Sequence, residues 1–205
     1  MDDLRLVKII KDIKEKFSCH TIILYGSHAR GEASDSSDYD IVAIREKGEI
    51  ERDCRIFEGA YLDIFIYPEE AVEEPDVSFV RMKDGIVLCQ KQKVGEELIK
   101  KVKEIYQKGP LKIPNWEKQV IKTWSDKMLA RAKIGDIEGD FRRHWLLFDL
   151  LEAYFRLRDS WYLGPKESFQ WLKKNDSFTY SLFEKALKPS ADLDSLKNLI
   201  DRVKA

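Results

Sequence analysis

Two aspartates at alternate positions, Asp38 and Asp40, have the side chains and spacing best suited to chemistry in this sequence. They begin an apolar, β-branched run that predicts a strand over 38–44. Because side chains alternate along a strand, both carboxylates should project from one face. Adjacent carboxylates repel each other, and Mg²⁺ binds through one or two carboxylates together with substrate phosphates. A solvent-facing acidic strand end is the structural alternative.

A third aspartate, Asp63, lies inside a run at 61–67 that is apolar on both faces and therefore predicts an interior strand. An ionised carboxylate there is costly unless it is paired or bound to a metal. Arg52 or Arg55, on a strand predicted over 52–58, could supply an ionic partner. Convergence of Asp63 with the first two aspartates would instead create a site for two-metal phosphoryl transfer.

The dipeptide Gly26-Ser27 follows a strand predicted over 21–25. A glycine at this position lets the backbone approach a ligand closely, and N–H groups at the start of a following helical turn favour an anion. The Ser27 hydroxyl adds another donor. Taken alone, a Gly-Ser pair after a strand is usually an ordinary turn.

The elements around these residues predict an α/β (α+β) front half and an all-helical back half. Helices are predicted over 4–17 and 94–106, and strands over 21–25, 38–44, 52–58, 61–67 and 86–89. The segment from Gly109 to Pro114 contains a glycine and two prolines, so we place the domain boundary there. The predicted domains are a small mixed-sheet domain at 1–109 and a helical bundle at 110–205.

An aromatic stripe follows helical spacing in the back half. Its members are Phe141, Trp145, Phe148 and Phe155. We interpret the stripe as helix core, with a wall for stacking a nucleobase as the alternative.

The composition describes a globular chain without the basic excess of a nucleic-acid binder. Hydrophobic residues make up 43%, and 36 Lys and Arg nearly balance 37 Asp and Glu. Nucleic acid is therefore an unlikely partner, and no apolar run is long enough to cross a bilayer. The three scattered cysteines, Cys19, Cys54 and Cys89, predict buried or half-buried thiols in a cytoplasmic protein.

Together, the pair Gly26-Ser27, the Asp38-Tyr39-Asp40 segment and Asp63 resemble the motif of the DNA polymerase β-like nucleotidyltransferase superfamily. That motif is Gly, then Gly or Ser, a spacer, Asp-any-Asp or Glu, and a third acid on a later strand. The resemblance covers about 22–67. More weakly, over 81–110, the chain is similar to bacterial members with a helical C-terminal domain. The spacer resembles the minimal and the antibiotic-modifying, kanamycin-type branches.

The resemblance implies transfer of a nucleoside monophosphate from a Mg-bound NTP to a hydroxyl acceptor, with release of pyrophosphate. ATP is the default donor, so AMP is the default group transferred. Two Mg²⁺ ions are expected on Asp38, Asp40 and Asp63. Contacts to the triphosphate are expected from Gly26, Ser27, Arg30 and Ser37. Arg30 is equally open to an ion pair with Glu32 or Asp35.

The acceptor is expected to be a small hydroxylated molecule or a protein. Asp149 and Glu152, in the helical half, are candidate general bases, with a solvated helix surface as the alternative. A homo-oligomer is possible, since a partner subunit can complete the cleft of such enzymes. The alternative function is that of an antitoxin-type protein of the same fold, which binds or adenylylates a partner protein.

Overall fold

A computed structural model describes residues 4–205 of the chain. The chain divides into two compact units, Met1–Lys108 and Gly109–Ala205, each with its own core. Among the described residues, no helix combines the length and the apolar character needed to span a membrane.

The first unit contains a mixed five-stranded sheet covered by helices on both faces. Its elements are α1 (Leu4–Phe17), β1 (Thr21–Tyr25), α2 (Gly26–Ala29), β2 (Tyr39–Arg45), β3 (Glu51–Phe57), β4 (Ala60–Pro68), α3 (Glu69–Glu73), a 3₁₀ helix (Val77–Met82), β5 (Ile86–Cys89) and α4 (Val94–Lys108). The strand order is β3-β4-β2-β1-β5. Strands β2 and β4 are parallel, and the other neighbouring pairs are antiparallel.

Helix α1 packs on one face of the sheet because its apolar residues recur at helical spacing. Leu6, Ile9 and Ile13 are buried, together with the residues of β2 and β4 that face them. The opposite face is covered by the 3₁₀ helix and α4. On that face, Asp40 and Asp63 lie where the helical cover ends, so the sheet positions them beside a packed core.

The second unit is entirely helical among its described residues. Its helices are α5 (Asn115–Ala132), α6 (Ile137–Leu157), α7 (Pro165–Asn175), α8 (Ser177–Ala186) and α9 (Leu193–Lys204). The predicted fold class, a small mixed-sheet domain followed by a helical domain, is confirmed. Asp176 caps α8 and accepts hydrogen bonds from Tyr154 and Arg202, so one carboxylate joins α6, α8 and α9.

The prediction that the aromatic stripe of α6 is helix core is wrong for most of its members. Phe155 is buried, whereas Phe141, Trp145 and Phe148 are exposed. At 100° per residue, Phe155 lies only about 20° from Phe148 around the helix. It is buried because the rings of Tyr162 and Trp171 pack against it near the end of α6. The core side of α6 is instead supplied by leucines, namely Leu146, Leu147, Leu150 and Leu151.

Candidate active site

The parallel pairing of β2 with β4 brings two of the predicted aspartates side by side. Asp40 is directly opposite Asp63 in the register of this pair. Neighbouring strands lie about 4.8 Å apart, so the two side chains share one face of the sheet. On the outer strands of this group, Tyr25 of β1 is opposite Asp40, and Cys54 of β3 is opposite Asp63. Four strands therefore contribute to one small region.

The third predicted aspartate, Asp38, lies just before β2 rather than within it. The strand begins at Tyr39, and the Asp38 side chain is exposed. The predicted strand thus begins one residue later than expected, so alternation along β2 alone does not place Asp38 on the same face as Asp40. Asp38 nevertheless lines an open cleft of about 580 Å³ together with Asp63, Arg52 and other residues of β3 and β4. The loop before β2 thus brings Asp38 to the same edge of the sheet as the other two.

The electrostatics of Asp40 favour a cation. The pKa of the Asp40 carboxyl is raised to about 6, first by burial and then by the charges of Asp38 and Asp63, while Arg81 and Arg30 oppose the shift. Near neutral pH the carboxylate is ionised at a cost in free energy. A bound divalent cation would offset this cost, and carboxylate oxygens are the ligands that Mg²⁺ prefers. The residues around Asp40 therefore fit a magnesium ion.

Asp63 is held by an arginine on the edge strand. Arg52 donates from Nε and Nη2 to the two carboxylate oxygens at 2.8 and 2.9 Å, and the Cys54 thiol lies 3.2 Å from Oδ1. The hydrogen bonds from Arg52 are the largest cause that lowers the pKa of Asp63, and they outweigh its burial. Of the two arginines left open by the sequence, Arg52 is the partner. Arg55 pairs instead with Asp12 and Asp53.

Cys54 differs from the prediction of a buried or half-buried thiol, because it is exposed. Its hydrogen bond to Asp63 is the largest cause that raises its pKa, with burial adding a smaller effect. The thiol is thereby kept in its neutral, donating form beside the carboxylate.

Arg81 is a residue of the site that the sequence analysis missed. Its guanidinium lies 4.4 Å from the centre of the Phe65 ring and 5.8 Å from that of Tyr25. The positive charge lowers the pKa of both Asp40 and Asp63. No spacing in the sequence relates a residue of the 3₁₀ helix to these strands. Only the packing of that helix on the sheet reveals the contact.

Gly26 is required by the close approach of its backbone to Asp40. Its φ of 69° lies in the left-handed region that glycine adopts without strain. A Cβ atom added there would overlap the Oδ2 atom of Asp40 and lie 3.0 Å from its Cγ. The turn that begins α2 can therefore pack against the carboxylate only with glycine. Ser27, next in the chain, is buried.

A Gly26→Ala substitution is expected to destabilise the first unit by about 2 kcal/mol, from left-handed strain together with displacement of Asp40. Gly31→Ala is a matched control, since Gly31 has a φ of 71° but no atom within 4 Å of an added Cβ. The control should lose only about 1 kcal/mol. Urea unfolding followed by circular dichroism measures both. Equal losses would contradict the contact with Asp40.

Arg30 and Ser37, the remaining residues predicted to contact the triphosphate, form contacts with other residues of the loop that follows α2. Arg30 Nε lies 3.0 Å from a Glu32 carboxylate oxygen, which is one of the pairings that the sequence left open. The Ser37 hydroxyl accepts a hydrogen bond from the backbone N–H of Ser34 at 2.9 Å. Their roles toward a nucleotide stay predictions.

In the helical unit, Asp149 and Glu152 line a second cleft, of about 250 Å³, together with Trp124 and residues of α5 and α6. Burial raises the pKa of Asp149, although a hydrogen bond from Trp145 opposes the shift. Glu152 lies 3.9 Å from Arg156 of the same helix. Their assignment as general bases stays a prediction.

Across residues 4–205, no three acidic, histidine or cysteine side chains are arranged as a ready metal site. At the cleft, the Asp63 carboxylate is paired with the Arg52 guanidinium. The roles of Asp38, Asp40 and Asp63 as metal ligands stay predictions.

The first unit matches a known protein family. Residues 7–108 match the family model described as polymerase beta, nucleotidyltransferase. No curated protein matches the chain. Among solved structures, a nucleotidyltransferase-like protein from Exiguobacterium sibiricum is 13% identical, with a TM-score of 0.40, over 97% of this chain and 74% of that one. The matched residues contain Gly26, Asp38, Asp40 and Asp63, and the chain belongs to the polymerase β-like nucleotidyltransferase superfamily.

Proposed function

We propose that this chain transfers a nucleoside monophosphate from a Mg-bound NTP, with ATP the first donor to test, to a hydroxyl group. The observation that carries the proposal is the half-buried Asp40 carboxylate, whose pKa is raised to about 6 by burial and by Asp38 and Asp63. A fold that needed only stability would not place three acids together. Such a cluster suits a site that receives cations together with its substrate.

In the proposed reaction, the acceptor oxygen forms a bond to the α-phosphorus as the bond between that phosphorus and the bridging oxygen breaks. Pyrophosphate leaves, and the hydroxyl proton passes to a base. Mg²⁺ bound by Asp38 and Asp40 would neutralise triphosphate charge, and a second ion at Asp63 would lower the pKa of the acceptor hydroxyl.

The chain's own residues orient the reactants around that chemistry. Gly26 lets the backbone approach Asp40 closely, and together with Ser27 it is the proposed contact of the terminal phosphates. Arg81 adds positive charge beside both strand aspartates. Asp63 can act as a ligand only when Arg52 releases it, so its role requires that contact to open. Arg30 and Ser37 are proposed to contact the triphosphate from the loop after α2.

The acceptor is proposed to be a small hydroxylated molecule or a protein side chain. An antitoxin-type protein that adenylylates its partner would use the same nucleotide site. An antitoxin-type protein that only binds its partner would need no nucleotide site. Nucleotide binding therefore separates a catalytic protein from a purely binding one.

The test is calorimetric titration of ATP, GTP, CTP and UTP, each with Mg²⁺ and with EDTA. Asp38→Asn is expected to weaken Mg-dependent binding by about tenfold or more, since it removes a charged ligand from the cleft. Asp35→Asn is the matched control, because Asp35 is an exposed carboxylate of the same loop. Binding that is independent of Mg²⁺, or equal in both variants, would overturn the proposal.

A further inference from the structure

Helix α6 exposes a continuous apolar face, and at Trp145 this face also packs against Trp124 of α5. Ile137 is 91% exposed, Phe141 64%, Trp145 41% and Phe148 71%. Their spacing of four, four and three residues places them along one side of the helix, which we call the α6 outer face. The Phe141 and Trp145 rings pack edge to face at 6.2 Å, so the face is an ordered aromatic surface.

This surface is large for a chain that remains monomeric. Its four apolar side chains leave about 600 Å² exposed, which equals the largest apolar patches of typical monomers. A standard interface buries about 800 Å² on each partner. The α6 outer face together with the charged residues on its borders approaches that size.

The charges on the same side of α6 are arranged so that the helix complements itself when reversed. Glu138 and Arg142 lie toward its beginning, and Glu152 and Arg156 toward its end. All four side chains are partly exposed, at 61, 23, 47 and 38% respectively. They also form ion pairs within the subunit, Glu138 with Arg142 and Glu152 with Arg156, which contacts Glu117 as well, so a second copy would share these partners. When two copies of α6 run antiparallel and cross near residue 147, Arg142 faces Glu152 of the other copy and Glu138 faces Arg156. In a parallel pair, the charged borders of the two copies would lie on opposite sides of the contact and would not meet.

We propose that α6 forms the two-fold interface of a homodimer, with the outer faces of two copies packed antiparallel. A two-fold contact uses the same surface on both subunits, so a self-complementary charge order is what it requires. The aromatic residues form the centre of this interface and the four charged residues form its rim. The inference does not depend on the proposed nucleotidyl transfer.

The experiment measures the mass of the full chain by sedimentation equilibrium over a range of concentrations, with circular dichroism to verify folding. We expect a species of twice 24.1 kDa. Arg142→Glu and Glu152→Arg should each raise the dimer dissociation constant by about tenfold or more, because each places like charges together twice per dimer. The double variant should restore it to within about threefold.

A further pair of variants tests the aromatic centre. Phe141→Ser/Phe148→Ser should give a folded monomer, whereas Phe178→Ser, which changes a phenylalanine of α8 that is 62% exposed, should leave the dimer intact. A wild-type monomer across the whole range would overturn the proposal. So would a dimer that resists the Phe141/Phe148 change, or charge reversals whose combination does not restore association.

Discussion

The Asp40→Asn variant is expected to melt at a higher temperature than the wild type when metal and nucleotide are absent, and to bind Mg-ATP at least about 100-fold more weakly. The pKa of Asp40 is raised from 3.8 to about 6, with burial the largest cause and Asp38 and Asp63 next. For a carboxyl whose folded pKa is raised, stability is fully present below the unfolded value of 3.8 and falls as pH rises to about 6. Asparagine has the same shape without this cost.

The gain for Asp40→Asn at pH 7.5 should be about 1–2 kcal/mol, after allowance for solvent screening at a half-buried site. It should shrink as the pH is lowered from about 6 to about 4. Calorimetry is the suitable measurement, because all five tryptophans lie in the helical unit and do not report on this one. Asp35→Asn controls for loss of an exposed charge and should change the melting temperature little. A lower melting temperature for Asp40→Asn would contradict the assigned electrostatics.

Asp176→Ala is expected to destabilise the helical unit by about 3 kcal/mol, since it leaves several buried donors without their acceptor. The Asp176 carboxylate accepts from Tyr154 Oη at 2.7 Å, Thr179 Oγ1 at 2.6 Å and Arg202 Nη2 at 2.8 Å, as well as from the Thr179 N–H. Burial alone would raise its pKa, but the hydrogen bonds hold that pKa well below its ordinary value.

The effect of pH on the stability contributed by Asp176 is opposite in sign to its effect on the stability contributed by Asp40. Its stabilising effect is present above the ordinary pKa of 3.8 and is lost as pH falls toward the folded pKa. Wild-type stability should therefore decline below about pH 4, and Asp176→Ala should show less of that decline. Tryptophan fluorescence during urea unfolding reports on this unit alone. Asp192→Ala is the matched control, since Asp192 caps α9 through Ser195 and should cost less. Equal losses of stability in the two variants would contradict the importance of the hydrogen-bond network around Asp176.

The local elements of the first unit could be predicted because each has a clear hydrophobic period. Helix α1 and strands β1 and β5 have the predicted bounds. Strand β4 lies between β3 and β2, as its apolar character indicated. The parallel pairing that aligns Asp40 with Asp63 could not be predicted, because register is decided by packing between segments distant in the chain.

The same reason explains the errors around the site. The choice between Arg52 and Arg55 depends on which face of β3 meets Asp63, and the contact of Arg81 depends on where the 3₁₀ helix packs. In α6, apolar spacing alone could not distinguish a core side rich in leucine from an outer face rich in aromatic residues. A periodic pattern identifies a helix but does not identify what each side of it contacts.

The half-burial of Asp40 affects which residues of this protein can change during evolution. A carboxylate that costs the fold free energy, beside an exposed Asp38, receives no protection from selection for stability. A lineage released from catalysis is therefore expected to lose Asp40 early and to become more heat-resistant as it does so. The acidic residues at this edge of the sheet would then be replaced, whereas Gly26 would be retained because its φ of 69° still favours glycine.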